Sequence, residues 1–308
     1  TAVALGGDHS CGLRTNGRLY CWGDDENGEL GNNATLADTS TPALVAGGFT
    51  DWTNVSAGAD HTCARREVGR LYCWGSDVDG RLGDGGTDTA SPTPVEVHGA
   101  LTTWSRYLAA GSGHTCATRS NGRLYCWGSD DADQLGTGAG SGTTGVPVQV
   151  SGGATTWSSV TAGGHHTCAM RTSGRLYCWG DDSQGQIGDD GSLADVEVPT
   201  EVAGAAHDWV QVDVGVAHTC ARKDTNRVLC WGDDVFRQLG DDETLLDQPV
   251  PVEVDGHLTR WTDVSAGGGF TCARMASSRI WCWGADGSGE TGSDTDTTPD
   301  PLPEQVLA

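Results

Sequence analysis

One spacing constrains this chain more than any other. Its twelve cysteines form six pairs whose members stand ten positions apart, and the leading members, Cys11, Cys63, Cys116, Cys168, Cys220 and Cys272, recur every 52 or 53 residues. Their partners, Cys21, Cys73, Cys126, Cys178, Cys230 and Cys282, each open a Cys-Trp-Gly. Self-similarity at such a period marks a propeller, a solenoid or an array. No cysteine is left over.

The segment between paired cysteines reads as a hairpin. A three-residue loop wants a left-handed residue at its end, and Gly17, Gly69, Gly122, Gly174 and Asn226 supply one at low steric cost, with Ser278 the exception. If Arg14 and Arg18 close the loop as a hydrogen-bonded pair, alternation makes Cys11 and Cys21 a directly opposed, non-hydrogen-bonded pair. Cα atoms of such a pair lie about 4.5 Å apart, within disulfide reach. Six disulfides are therefore expected, one per repeat. Reduced pairs or four-thiolate zinc centres would use the same residues, but directly opposed cysteines without Cys-x2-Cys spacing argue against zinc. Disulfides imply an oxidising compartment, so the expected location is extracellular or secreted, or else periplasmic or on the cell surface.

Each repeat then reads as four short strands. The first is framed as in Trp52-x-x-Val55, and the second and third are the cysteine hairpin. A loop beginning Trp-Gly-x-Asp follows and runs to Leu-Gly, as at Leu82-Gly83, before a fourth strand opened by Pro92 and Pro94. Proline is tolerated at a strand start or edge. Four strands per unit and no helical period give an all-β fold: one domain over 1–308, a six-bladed β-propeller of four-stranded antiparallel blades with a disulfide in each hairpin. Closing it would have the two termini meet in one sheet. Alternation places Thr62, Ala64, Tyr72 and Trp74 on one face of the hairpin and Cys63, Leu71 and Cys73 on the other. Both faces must be buried, which stacked blades achieve.

The formal charge of −24, from 42 acids against 18 bases, makes nucleic acid and anionic membrane poor partners. No run of eighteen apolar residues exists, so no membrane-inserting segment is expected.

The recurring Ala-Gly-x-x-His-(Ser/Thr)-x-Ala, Gly-Arg-Leu-Tyr-x-Trp-Gly and Gly-x-Leu-Gly resemble the regulator of chromosome condensation repeat across essentially the whole chain. That resemblance implies a β-propeller, usually of seven blades, and a binding scaffold. Nuclear members of the family are exchange factors for a small GTPase and bind chromatin, while secreted bacterial relatives include a β-lactamase inhibitor that binds through loops at one face. This chain departs in having six repeats, cysteine pairs across each hairpin, and Asp where Asn is common after Trp-Gly.

Three side-chain sets recur in register. His9, His61, His114, His166 and His218 share one position, filled by Phe270 in the sixth repeat. A histidine ring could hold a transition metal or serve as a hydrogen-bonding element, and the break at Phe270 favours the second. Asp25, Asp77, Asp130, Asp182, Asp234 and Asp286 occupy all six loops. They could bond their own turn backbone or ligate calcium, the one cofactor this loop chemistry would take, none being required. Arg18, Arg70, Arg123, Arg175, Arg227 and Arg279 complete the series, and a ladder of ion pairs between blades is expected, in its simplest form with the repeated Asp set.

Catalysis has little support, since no nucleophile elbow, phosphate loop or His-Glu-x-x-His occurs. The expected function is a non-enzymatic protein-binding or structural module whose partner is another protein or further copies of itself. A calcium- or glycan-binding lectin or adhesin is the competing class and an extracellular hydrolase the third. Binding should reside where the copies differ on exposed loops: Val235, Phe236, Arg237, Leu245 and Leu246 in the fifth repeat, and more weakly Arg106 and Tyr107 in the third.

Overall fold

The computed structural model describes residues 2–306 except 34–35, 87–88, 141, 242–244, 256–259 and 293–298. Its strands form six four-stranded antiparallel sheets, one per repeat, spanning 2–44, 52–96, 104–149, 157–201, 209–253 and 261–305. The fold class is a six-bladed β-propeller. Strand order follows the chain within every sheet. The first strand therefore pairs inside its own repeat, Ala4 opposite Cys11, and the last pairs with the sixth repeat's hairpin. The two terminal strands do not share a sheet, contrary to the expectation from closure, because each sheet is already filled by consecutive strands. Two short 3-10 turns, Val78–Gly80 and Ser151–Gly153, are the only helical elements among the described residues. No described helix is long and apolar enough to cross a membrane.

In the second sheet the strands are Trp52–Ala57, His61–Arg66, Leu71–Gly75 and Ser91–Glu96. Cys63 lies opposite Cys73 and Ala64 opposite Tyr72. All six cysteine pairs are bonded with Cα atoms 4.1 Å apart. The closing pair is as expected, Arg14 N–H donating to Arg18 O at 3.0 Å. The left-handed residues are those the turn requires, including Asn226 at φ 62° and Ser278 at φ 65°.

The chain's contacts fall into two compact units, Thr1–Ala162 and Gly163–Ala308. Within the first, the Cys-Leu face of one sheet packs on the Trp-Ala face of the next: Cys11, Leu19 and Leu30 against Trp52, Ala64 and Trp74. Within the second unit the same arrangement joins Cys220, Val228 and Leu239 to Trp261, Ala273 and Trp283. The recurring Leu-Gly has a steric cause here. Gly83 and Gly240 take left-handed φ values of 70° and 67°, and a Cβ there would come within 2.4 and 2.6 Å of the Nε1 of Trp127 and Trp283. The first sheet is the most exposed on this face. Its Trp22 is only half-buried, and Val3 and Leu5 are 68% and 73% exposed.

Candidate partner-binding surface

Loops joining strands one to two and three to four emerge at one end of each sheet, and the hairpin turns at the other. The loop end is built on the repeated aspartates. Each is buried, and its Oδ1 accepts the backbone N–H five residues on, at 3.0 Å from Asp25 to Leu30, 3.1 Å from Asp77 to Leu82 and 3.0 Å from Asp234 to Leu239. The same bond recurs at Asp130, Asp182 and Asp286. That bond fixes the turn and delivers the residue five on to the core, a leucine in four repeats, Ile187 in the fourth and Thr291 in the sixth. Burial pushes the carboxyls of Asp130, Asp182 and Asp234 up to about 6. The described residues hold no group of three or more His, Cys, Asp and Glu placed to share a metal ion.

The histidines form hydrogen-bonded chains rather than a shared centre. His61 Nε2 lies 2.8 Å from Thr115 Oγ1, whose hydroxyl donates to Arg81 O at 2.9 Å, and Trp127 Nε1 donates to the same carbonyl at 3.0 Å. His218, Thr271, Gln238 O and Trp283 repeat the chain in the second unit. Because each threonine spends its proton on the carbonyl, the imidazole must donate, which assigns the proton to Nε2. Burial pushes the histidines down, His9 and His166 to about 4 and His218 to about 3, so they are neutral at physiological pH.

The arginine ladder differs from expectation. Arg70, Arg175 and Arg227 pair with Glu96, Glu201 and Glu253 at 3.4, 3.5 and 3.2 Å. Those glutamates lie on the fourth strand of the same sheet, so the pairs run within sheets and not between them. The arginines cannot use the repeated aspartates because the turn and the Asp loop are at opposite ends of a sheet.

The fifth repeat departs from this shared frame. Val235 and Phe236 are 57% and 45% exposed, and Leu245 and Leu246 are 53% and 62% exposed. The sequence separates the two pairs by about ten residues, yet Asp247 Oδ1 accepts Asp234 N–H at 3.2 Å and so brings both to one loop end. The turn is rigid: Gln238 Oε1 accepts Phe236 N–H at 2.8 Å, and Gln238 Nε2 donates to Asp233 at 2.7 Å. Arg237 takes a left-handed φ of 64°, where Gly28, Gly80, Gly185 and Gly289 stand in other repeats. Phe236 lies over Gly269, where a Cβ would meet its Cδ2 at 2.9 Å.

Sequence reasoning missed Val216, 54% exposed on the preceding loop, which Asp233 N–H ties in by donating to Ala217 O at 2.9 Å. The signal was available, since Gly7, Ala59, Ser112, Gly164 and Gly268 are the aligned residues. Arg106 and Tyr107 form a separate pair on the first strand of the third sheet. The guanidinium donates to the phenol at 3.0 Å and sits 5.0 Å from its ring centre.

A family model described as the RCC1-like domain matches residues 1–307. The mitochondrial RCC1 domain-containing protein RUG3 of Arabidopsis thaliana is 28% identical, covering 92% of this chain and 64% of its own. The ultraviolet-B receptor UVR8 of the same plant is 32% identical, over 79% of this chain and 55% of the receptor. The chain thus spans under two thirds of either relative's length. Among solved structures, yeast RCC1 (Prp20) bound to Kap60 superposes with a TM-score of 0.86 at 20% identity, over 100% of this chain and 74% of that one. Human WBSCR16 superposes with a TM-score of 0.87 at 18% identity, over 100% and 81%. With the repeat, the sheet order and the family match in agreement, this chain belongs to the RCC1-like domain family.

Proposed function

We propose that this chain is a non-enzymatic protein-binding module working in an oxidising, extracellular or periplasmic setting, and that it engages its partner through the loop end of the fifth repeat. The observation that carries this reading is Phe236, an exposed aromatic on a turn already held by Gln238 and Asp234. A rigid anchor loses little conformational freedom on binding, which is what makes exposed aromatics effective at interfaces. Six bonded cysteine pairs support the oxidising compartment. Protein binding is also the theme of solved relatives: one yeast structure holds RCC1 (Prp20) with Kap60, and another concerns Prp20p binding to Gsp1p and histones.

The test is crosslinking in the protein's native extract followed by native mass spectrometry. A partner recovered with wild type should be lost with Phe236→Ala combined with Leu246→Ser, while the melting temperature stays within a degree or so. Recovery of the same partner with the double variant would sink the reading, as would turnover of any polymer by the isolated protein.

A further inference from the structure

We propose that the surface around Phe236 recognises a polypeptide segment in which an apolar side chain is flanked by lysine or arginine. The inference rests on the protein-binding reading above and specifies the partner's chemistry.

Charge is unevenly distributed in the unit Gly163–Ala308. Its cations gather at the hairpin-turn end, where Arg175, Lys223 and Arg227 pair with Glu201, Asp208 and Glu253. On the loop end, among the described residues of this unit, Arg237 is the single arginine or lysine. The acids there sit on the same hydrogen-bonded loops as the apolar side chains. Asp190 N–H donates to Pro249 O at 3.3 Å, which places it beside the segment that carries Leu246 and Asp247. Asp247 joins that segment to the Phe236 turn, and Asp233 caps the turn from within. Exposed apolar groups on Val216, Val235, Phe236 and Leu246 thus share this loop end with Asp190, Asp233 and Asp247.

Such a surface discriminates by charge as well as by fit. A neutral apolar segment would gain the same burial, but an acidic one would bring like charges together beside an apolar surface, where water screens them less. A segment with lysine or arginine on either side of its anchor meets carboxylates on both flanks. The formal charge of −24 steers the same partner at long range. Phe236 is 45% exposed, so part of its ring is open to an incoming side chain.

The experiment measures fluorescence-anisotropy binding of three synthetic peptides to the intact chain. Each carries one central Leu-Trp anchor, flanked by lysine in the first, glutamine in the second and glutamate in the third. The lysine peptide should bind at least about tenfold more tightly than the glutamine peptide and lose about tenfold on Phe236→Ala. Its affinity should fall on adding salt and on Asp190→Asn. Arg237→Gly removes the lone cation and places at that left-handed position the residue most other repeats have, so it should tighten the lysine peptide and leave the fold intact. If the glutamine and lysine peptides bind alike and both depend on Phe236, the cationic preference is overturned and the protein-binding surface survives. Binding of the lysine peptide that ignores Phe236 overturns the assignment of this surface. No binding by any peptide overturns the proposed chemistry, and the crosslinking experiment then decides the broader reading separately.

Discussion

The loops after the third strand in the second and fifth sheets share one skeleton and present opposite surfaces. In both, an Asp holds the turn, Asp77 to Leu82 at 3.1 Å and Asp234 to Leu239 at 3.0 Å, and both leucines are fully buried. Val78 and Val235 even share their exposure, 51% and 57%. The three positions that follow diverge. The second sheet has Asp79, Gly80 and Arg81, with the Arg81 guanidinium donating to Val78 O and Ser112 O and pairing with Asp60 at 3.6 Å. The fifth has Phe236, Arg237 and Gln238, and its glutamine satisfies the turn internally, leaving the aromatic outward. A polar side chain stitches one loop to its surroundings, whereas the other has its stitching moved inward and an apolar group freed. Positions that make the turn are thus distinct from positions that decide what it displays.

The largest effect is expected at the buried leucines. Leu82→Ala and Leu239→Ala should each cost about 2–5 kcal/mol in chemical denaturation, by the same amount within error. Unequal costs would show that the two skeletons are not equivalent.

A smaller effect concerns charge in the fifth loop. Asp234 is raised to about 6 in the folded protein, from 3.8, so the folded state holds this proton more tightly than the unfolded one. Its contribution is stabilising below pH 4 and is lost as pH rises through about 6. Asp234→Asn keeps an oxygen to accept Leu239 N–H and removes the charge. It should therefore gain about 1–3 kcal/mol at pH 7.5, with the gain gone by pH 4. His218 works the other way. Lowered to about 3 from 6.5, it contributes stability above pH 6.5 that is lost as pH falls toward 3. Wild type should accordingly lose stability on acidification less steeply than Asp234→Asn, as thermal melts across this range would show.

The smallest expected effect sharpens the contrast at the left-handed position. Arg237→Gly should stabilise by about 0.5–1 kcal/mol and Gly80→Arg should destabilise by a similar amount or more, since φ is 64° and 76° there. No gain at Arg237 would mean that its side chain contributes packing that offsets the backbone cost.

Much of the fold was legible because its determinants are local. The hairpin, its register and the opposed cysteines follow from a loop of three residues between strands of alternating character, all within about a dozen positions. The left-handed turn residues were legible on the same ground in five repeats, and Ser278, the exception in residue type, takes the same left-handed φ of 65°. The candidate surface was legible in part. Phe236 and Leu246 stand out as apolar departures from polar copies, and the structure brings them together through Asp247. Val216 was missed because attention to one loop at a time cannot reveal that a second loop, tied in at Ala217, contributes to the same end.

The arginine partners lay beyond such reasoning. Arg70 and Glu96 are 26 residues apart, and only strand pairing shows that they meet while Asp77, seven residues from Arg70, faces the other end.

The repeat, the strand count, the hairpin register and the pairing of every cysteine follow from local rules, since they depend on turn stereochemistry and on period-two alternation. What the histidines do, which acids the arginines find and which apolar side chains remain outside depend on how strands pair and sheets stack. His61 and Thr115 are 54 residues apart, and their bond exists only because one sheet's Cys-Leu face packs against the next sheet's Trp-Ala face. Local rules place a side chain on a face. Whether that face is covered, and by what, is settled when the sheets stack.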